Sequence, residues 1–284
     1  MLDDFIQWYY TNQHPYYPFA KVYEGALQGK FAEMFGSRQQ GDLIRGSNLG
    51  DPLAVLILKK LGYRAPDRPL TILDRHFLYE GHEAEARMIS TLMMYGFDIH
   101  GSQKEVEYRG YKGHIDLMIE GETVVDVKAV KNASFNRMTG KKPYISDRYK
   151  TQVAFYKKGL GIKKGGLLVY NRDTSDIAFL DLSNDEDSIK ELDYKLDVLD
   201  ENITLEELFY REEEFIPEVK REVYKGAATG NYLLPDSMRF SEYKTAFYDL
   251  SEPTLNGYDR EQIYVLGYKT LEQAREELEK WQVS

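Results

Sequence analysis

The 284-residue chain contains no cysteine, which excludes a disulfide framework and a thiolate metal site and makes a cytosolic setting the default expectation. It also lacks a run of about 18 apolar residues, so we expect no membrane-spanning helix. The first residues, Met1 to Asp4, lack the basic and then apolar pattern of a secretory signal, and no repeat or low-complexity tract is present. What remains is a globular chain, long enough for one large or two modest domains.

Positive charge is scarce overall but is concentrated in one segment. The formal net charge is -10, yet residues 128–164 hold eleven Lys or Arg and one acidic residue, Asp147, for a local charge of +10. Such a basic stretch is an electrostatic footprint for phosphate, although a lysine-rich solvated helix face would produce part of the same pattern. We predict nucleic-acid contacts at six of these residues: Lys131, Arg137, Lys141, Lys142, Arg148 and Lys150.

Residues 113–130 are predicted to form a β-hairpin in which charged residues interrupt apolar arms. The arms flank a polar, Gly-containing centre at Glu120–Thr123, and β-branched residues crowd the second arm. Strand alternation places Asp126 and Lys128 on one face, and pairing across the turn brings Asp116 near them. Buried carboxylates need a cation, and a metal held by oxygen ligands alone indicates Mg²⁺ or Mn²⁺. The alternative is that these charges lie on an edge strand and face water.

The spacing of Asp116, nine residues, then Asp126-Val127-Lys128 resembles that of the PD-(D/E)XK nuclease superfamily. The most similar branches are the RecB-type nuclease domains, the iron-sulfur nucleases of CRISPR adaptation and the phage lambda exonuclease group. The resemblance implies an α/β fold with a restriction-endonuclease-like core, a central mixed β-sheet flanked by helices, and extra N- and C-terminal helical segments. It also implies that one or two Mg²⁺ or Mn²⁺ ions are bound by Asp116, Asp126 and the backbone carbonyl of Val127. Lys128 would orient or deprotonate the attacking water, or stabilise negative charge; the sequence leaves these roles open.

Two helices are predicted to contribute to the same site. In the helix over 73–96, Gly81 and Glu85 resemble the helix motif of the lambda exonuclease group, which implies that Glu85 reaches the metal. Glu83 is the alternative metal-linked residue. A third interpretation is that these glutamates only form the solvent-exposed face of the helix. In the helix over 147–160, Gln152 and Tyr156 lie one turn apart and resemble a further motif of RecB-like nucleases.

The remaining segments are predicted more coarsely. Residues 1–45 are rich in aromatics, for which core packing is favoured over stacking on bases, and residues 131–145 are predicted to be a mobile loop. A helix over 52–61 would be capped by Ser47 or Asn48, and one over 185–200 by Ser183 or Asn184.

The resemblance to the iron-sulfur relatives includes the segments that carry their cluster cysteines. Asp51 stands where one such cysteine would be, so we expect no iron-sulfur cluster. Packing of Tyr243, Phe247 and Tyr248 is a hypothetical replacement for it. The expected organisation is an N-terminal helical segment (1–70), a nuclease core (71–200) and a mostly helical C-terminal extension (201–284).

The sequence thus favours a Mg²⁺- or Mn²⁺-dependent deoxyribonuclease that hydrolyses phosphodiester bonds, as an exonuclease of phage or recombination and replication type. A DNA endonuclease of the same fold, a non-cleaving DNA-binding scaffold and a metal enzyme acting on a small phosphorylated molecule are the alternatives. The expected partners are DNA and a single-strand-annealing or replication protein, in the cytoplasm of a bacterial or phage-infected cell.

Overall fold

The computed structural model describes residues 2–11, 21, 23–28, 43–66, 72–101, 103–239, 241–251 and 263–283. Contacts divide the chain into two compact units, Met1–Gly50 with Pro69–Asp193, and Asp51–Arg68 with Tyr194–Ser284. The three segments predicted from the sequence, 1–70, 71–200 and 201–284, stay predictions. No helix in the described part of the chain is long and apolar enough to cross a membrane.

The elements are numbered in chain order. The longer described helices are α1 (Leu2–Thr11), α2 (Leu53–Lys60), α3 (Ile72–Tyr95), α4 (Asn132–Thr139), α5 (Asp147–Leu160), α6 (Glu186–Asp200), α7 (Leu205–Tyr210), α8 (Glu212–Phe215), α9 (Asp236–Arg239), α10 (Lys244–Phe247) and α11 (Leu271–Leu278), and a 3₁₀ turn covers Gly46–Asn48. The strands are β1 (Tyr63–Arg64), β2 (Ile99–His100), β3 (Glu105–Tyr108), β4 (Tyr111–His114), β5 (Leu117–Ile119), β6 (Thr123–Val130), β7 (Lys164–Asn171), β8 (Ile177–Asp181), β9 (Lys220–Tyr224), β10 (Ala227–Leu233), β11 (Tyr248–Leu250), β12 (Tyr264–Tyr268) and β13 (Gln282–Val283).

The first unit is built on a five-stranded sheet in the order β2-β5-β6-β7-β8. Strands β6 and β7 are parallel and the other pairs are antiparallel. Helix α5 connects β6 to β7, which is the crossover that a parallel pair requires. The strands β3 and β4 form a separate antiparallel hairpin. This confirms the predicted α/β class with a central mixed sheet flanked by helices.

Each face of this sheet has its own hydrophobic core, because side chains alternate along the strands. On one face, Val125 and Leu168 pack with Met88 and Leu92 of α3. On the other face, Leu167 and Val169 of β7 pack with Val153 of α5 and with α4. Strands covered on both faces are apolar along most of their length, so a charged side chain in β6 is an exception that needs a partner.

Three aromatics of α1, Phe5, Trp8 and Tyr9, pack into the first core, whereas Tyr10 is 54% exposed. The Phe5 ring stacks on Trp8 at 6.1 Å and lies edge-on to Tyr95 at 5.6 Å. This confirms core packing for α1. The other aromatics of residues 1–45 on which that prediction rested include Tyr16, Tyr17, Phe19, Phe31 and Phe35, and these lie outside the described residues.

The predicted loop over 131–145 is wrong in its first half, where α4 forms. Phe135 and Met138 are both buried, one helical turn apart. The N–H of Asn132 donates to Asp173 Oδ2 at 2.7 Å, which satisfies a backbone donor at the helix start. Eight residues with two apolar anchors are too few to show a helical period in the sequence.

Two predicted caps are also wrong. Pro52 occupies the N-cap of α2, whereas Asn48 lies in the 3₁₀ turn and accepts a hydrogen bond from the N–H of Arg45 at 2.8 Å. At the start of α6, the carboxylate of Asp185 accepts hydrogen bonds from the N–H and the Oγ of Ser188 at 3.2 and 2.8 Å. Asp is as good an N-cap as Ser or Asn, so residue type did not decide among three adjacent candidates.

The second unit contains a four-stranded antiparallel sheet, β11-β12-β10-β9, and the pair β1-β13, together with short helices. Asp51 forms an ion pair with Lys59 at 2.8 Å. The three aromatics proposed to replace a cluster are buried: Tyr243 lies edge-on to Trp281 at 5.2 Å, and Phe247 stacks on Phe209 at 6.0 Å. Their packing is therefore hydrophobic, and their substitution for a cluster stays a hypothesis.

Candidate active site

Strand β6 continues beyond its neighbour β5, and past that point the carboxylate of Asp116 hydrogen-bonds the backbone of β6. Strand β5 pairs with β6 only from Thr123 to Val125, whereas β7 pairs with β6 along its whole length. Past the end of β5, the N–H of Val127 donates to Asp116 Oδ2 at 2.8 Å. Because the N–H and C=O of one strand residue point the same way, the carbonyl of Val127 faces the same side of β6 as Asp116.

The side chains of Asp126 and Lys128 lie on the opposite face of β6 from that of Val127, and they face α5. The Asp126 side chain is 1% exposed, and Lys128 Nζ lies 2.6 Å from its Oδ2. Neither carboxylate oxygen of Asp126 has a hydrogen bond of good geometry. A buried carboxylate whose oxygens are incompletely satisfied is energetically unfavourable. The alternative of an edge-strand charge facing water is wrong for Asp126.

The electrostatics of this cluster show a deficit of positive charge. Burial raises the pKa of Asp126 to about 7; the ammonium of Lys128 opposes this rise, and the charge of Asp116 adds to it. Burial disfavours the charged form of Lys128, but the charges of Asp126 and Asp116 outweigh it, so the pKa of Lys128 is raised. One ammonium group therefore does not compensate two adjacent carboxylates.

Helix α5 contributes Gln152 and Tyr156 to the cluster. Gln152 Nε2 donates to the hydroxyl of Tyr156 at 3.0 Å, and both side chains are buried. Burial raises the pKa of Tyr156, and the charges of Asp126, Asp116 and Glu85 raise it further. The phenol is therefore neutral and lies within electrostatic reach of all three carboxylates that the sequence singled out as metal-linked.

Glu85 approaches from α3, and a residue that the sequence did not reveal contacts it. Glu85 is buried and accepts a hydrogen bond from Gln103 Nε2 at 3.3 Å. Gln103 has a φ of +59°, in the left-handed region, and its N–H donates to the carbonyl of Ile115 at 2.9 Å. The turn thus ties Glu85 to the residue before Asp116. Glu83, the sequence alternative, pairs with Arg87 at 2.9 Å.

These residues fit a hard divalent cation. Asp126 supplies buried oxygens without a well-aligned hydrogen bond, and Asp116 and the Val127 carbonyl lie on the adjoining edge. Oxygen donors with an excess of negative charge suit Mg²⁺ or Mn²⁺. Within the described residues no group of three or more Asp, Glu or His side chains is arranged to hold a metal ion by itself. The candidate ligand set therefore consists of two carboxylates and a carbonyl, with Glu85 nearby.

The basic segment is less uniform than its composition suggests. Lys158 pairs with Asp193 at 3.1 Å and Lys164 with Glu122 at 2.6 Å. Lys157 is buried and donates to the carbonyls of Leu182 and Ser183, each at 2.8 Å. Burial lowers the pKa of Lys157. Lys157 is therefore held within the fold, and Lys158 and Lys164 are engaged in ion pairs at the surface, so these three lysines do not form one phosphate-binding row.

The six predicted DNA contacts lie on α4, the connection after it and the first turn of α5. Lys131, Arg137, Lys141, Lys142 and Arg148 are exposed. Lys150 is half-buried and lies 3.6 Å from Asp147. The structure places them along one continuous stretch of chain that follows Lys128.

Replacing Lys157 by Met should destabilise the protein by about 1–3 kcal/mol, because two carbonyls lose their buried donor. If the six predicted cations contact DNA, the affinity of Lys157→Met for DNA should equal that of the parent. Lys141→Met is the matched control: stability should stay within about 0.5 kcal/mol, while the slope of log Kd against log salt concentration should fall by about 1. Urea unfolding and DNA titrations at several salt concentrations measure both. A loss of DNA affinity in Lys157→Met without destabilisation would contradict the structural role.

Close approach at two glycines sets the position of α5 beside the site. A Cβ on Gly46 would lie 2.5 Å from the Phe155 ring, and one on Gly113 would lie 3.1 Å from the Tyr156 ring. The 3₁₀ turn and β4 therefore pack directly on the helix that carries Gln152 and Tyr156.

Gly46→Ala should lower the unfolding free energy by about 1–3 kcal/mol through overpacking. Gly81→Ala is the control, because Gly81 lies inside α3 and, among the described residues outside its own helical turn, no atom comes within 4 Å of the added Cβ. There the better helix propensity of Ala should stabilise the protein by up to about 1 kcal/mol. Denaturant unfolding of both variants measures the difference, and a Gly46→Ala variant as stable as the parent would refute the tight packing.

Neither a family model nor a curated protein matches this chain. Among solved structures, it is similar to the protein SSO0001, with 17% identity and a TM-score of 0.38 over 62% of this chain and 86% of that one. It is also similar to an alkaline exonuclease, LHK-Exo, from Laribacter hongkongensis, with 14% identity and a TM-score of 0.41 over 66% of this chain and 97% of that one. The complex of LHK-Exo with dAMP gives 12% identity and a TM-score of 0.39 over 68% and 97%.

Proposed function

We propose that this protein is a metal-dependent DNA nuclease of the PD-(D/E)XK type that hydrolyses phosphodiester bonds, and that it acts as an exonuclease. The observation that carries the proposal is the cluster of Asp126, Asp116 and Lys128 at the end of β6. A buried carboxylate whose contact with Lys128 is not a well-aligned hydrogen bond, a second carboxylate beside it and a single ammonium group form an arrangement that disfavours the ionised form of Asp126 in the folded chain. Such strain is typical of sites in which charge is arranged for binding and chemistry.

Asp116, Asp126 and the carbonyl of Val127 would hold the cation, with Glu85 as a further candidate. A divalent ion in that position supplies Lewis acidity towards a phosphodiester and lowers the pKa of water. Each of these protein groups is fixed by the fold: Asp116 by the N–H of Val127, and Glu85 by Gln103. Side chains fixed in this way lose little entropy when the substrate binds.

The side chain of Lys128 is suited to stabilise negative charge. Its raised pKa keeps it protonated at neutral pH, and the Tyr149 ring lies 5.2 Å from its Nζ. An ammonium in this position can donate to a phosphate oxygen as charge develops in the transition state. Of the three roles that the sequence left open, charge stabilisation is favoured over deprotonation of water.

The neutral phenol of Tyr156 and the amide of Gln152 can hydrogen-bond a phosphate oxygen or a ligand carboxylate without adding charge. The exposed cations on α4 and the following connection would bind the DNA backbone through its phosphates. Binding and catalysis would thus be carried by neighbouring parts of one stretch of chain, from β6 to α5.

Cleavage of end-labelled linear duplex, linear single-stranded and covalently closed circular DNA tests this proposal, with Mg²⁺, with Mn²⁺ and with EDTA. The expected result is metal-dependent loss of linear DNA with circles spared, and the position of the label gives the polarity. Asp126→Ala should be inactive. Cutting of circles would instead identify an endonuclease of the same chemistry. DNA binding without cleavage of any substrate would refute the nuclease proposal and leave a DNA-binding scaffold.

A further inference from the structure

An exposed tyrosine and an arginine are in contact in the segment of chain that follows β6. The guanidinium carbon of Arg137, on α4, lies 4.0 Å from the centroid of the Tyr144 ring. The N–H of Tyr144 donates to the carbonyl of Arg137 at 2.9 Å, which fixes the backbone of the connection against the end of the helix. The Tyr144 side chain nevertheless remains 45% exposed. We call this pair the Tyr144–Arg137 shelf.

The surroundings of the shelf are basic. Residues 131–146 contain Lys131, Arg137, Lys141 and Lys142 and no acidic residue. Two other exposed tyrosines contact carboxylates: the hydroxyl of Tyr10 donates to Asp176, and that of Tyr194 donates to Glu214. An aromatic face surrounded by cations attracts a polyanion that carries flat, stackable groups, and a carboxylate next to the ring would repel it.

The shelf lies close to the proposed reaction centre along the chain. Tyr149, whose ring contacts the ammonium of Lys128, follows Tyr144 by five residues. Five residues span at most about 17 Å, so the shelf is within a few nucleotides of a phosphate held at Lys128.

We propose that the Tyr144–Arg137 shelf binds an unpaired nucleobase of single-stranded DNA by stacking, while the lysines around it bind the flanking phosphates. The proposal rests on the proposed nuclease function and names its substrate class, a single-stranded end. Duplex DNA keeps its bases stacked on one another and offers the shelf no free face. Every base has a π-face, so the shelf has little sequence preference.

Binding of a fluorescently labelled single-stranded oligonucleotide and of a blunt duplex of equal length tests the shelf. The measurements use the full chain with Asp126→Ala, which prevents cleavage, in the presence of Mg²⁺. Adding Tyr144→Leu should weaken single-strand binding about tenfold and duplex binding less than twofold. Tyr144→Phe, which keeps the ring, should restore the affinity. Equal weakening on both substrates, no weakening on either, or failure of Phe to rescue would overturn the shelf.

Two further measurements separate this proposal from the nuclease proposal. Thermal unfolding of the Leu variant should match that of its parent, because the ring is exposed; a destabilised Leu variant with a normal Phe variant would assign the ring to the fold and overturn the shelf. In the chain with Asp126 intact, Tyr144→Leu should slow cleavage of single strands more than cleavage of duplexes. If the parent cleaves both single strands and duplexes and Tyr144→Leu changes neither rate, the shelf proposal is wrong and the nuclease proposal is unaffected. If the parent cleaves nothing, the nuclease proposal fails, and the binding measurements alone decide whether the shelf binds a nucleobase.

Discussion

Replacing Lys128 by Ala should lower kcat for DNA cleavage by about 10²- to 10³-fold and change the Kd for DNA by less than about threefold. The ammonium is held at 2.6 Å from Asp126 and stays protonated, so it meets the phosphate as a preset charge. Its interaction strengthens as negative charge develops, and a group of this kind affects kcat far more than ground-state binding.

Lys131→Ala is the matched control, three residues further along the chain and exposed. It should show the reverse pattern, with weaker and less salt-dependent binding and a nearly unchanged kcat. Single-turnover cleavage separates the two effects. Unaltered turnover in Lys128→Ala would remove the proposed role of this residue, whatever happens to binding.

The central part of the site was predictable because it depends on local periodicity. Alternation along β6 placed Asp126 and Lys128 on one face, and their ion pair confirms that geometry. The one-turn spacing of Gln152 and Tyr156 on α5 likewise produced a hydrogen bond. In both cases the contact follows from the period of a single element.

Contacts between distant elements were not predictable in this way. Gln103 reaches Glu85 because a turn with a positive φ brings it there, and glutamine is not a residue type that signals such a turn. Lys157 contributed to the basic segment by composition, but its burial depends on the end of β8, more than twenty residues later. Charge in a sequence gives the number of cations in a segment and leaves their partners undetermined.

The carboxylate of Asp116 was predictable in part and not in full. Its residue type and spacing indicated a site, and the structure adds that it hydrogen-bonds the backbone of β6 where β5 ends. The hairpin is therefore shorter on one arm than on the other. That difference opens an edge of β6 to a ligand while α3 and α5 still cover the two faces of the sheet.

Asp126→Asn should abolish cleavage and, without metal, make the protein more stable. An Asp whose pKa in the folded state is raised from 3.8 to about 7 destabilises the fold when it is ionised. Below about pH 4 the ionisation of Asp126 should therefore not lower the unfolding free energy of the metal-free parent. As the pH rises through about 7, this unfolding free energy should fall. Asn is uncharged and similar in shape to Asp. The unfolding free energy of the Asp126→Asn protein should therefore not fall over that range, and at pH 8 it should exceed that of the parent by at least about 1 kcal/mol.

Urea unfolding between pH 4 and 8 in EDTA measures this difference. Asp187→Asn is the control, because it makes the same change at a side chain that is 97% exposed. Adding Mg²⁺ at pH 8 should stabilise the parent and not Asp126→Asn, since a ligand that binds only the folded state raises its stability by mass action. A parent whose stability does not change with pH, or an Asn variant that still cleaves DNA, would contradict the assignment of Asp126. The opposite signs expected for activity and stability follow from one cause: the carboxylate is buried without a sufficient cation, which lowers stability, and in the proposed reaction its charge would hold the metal.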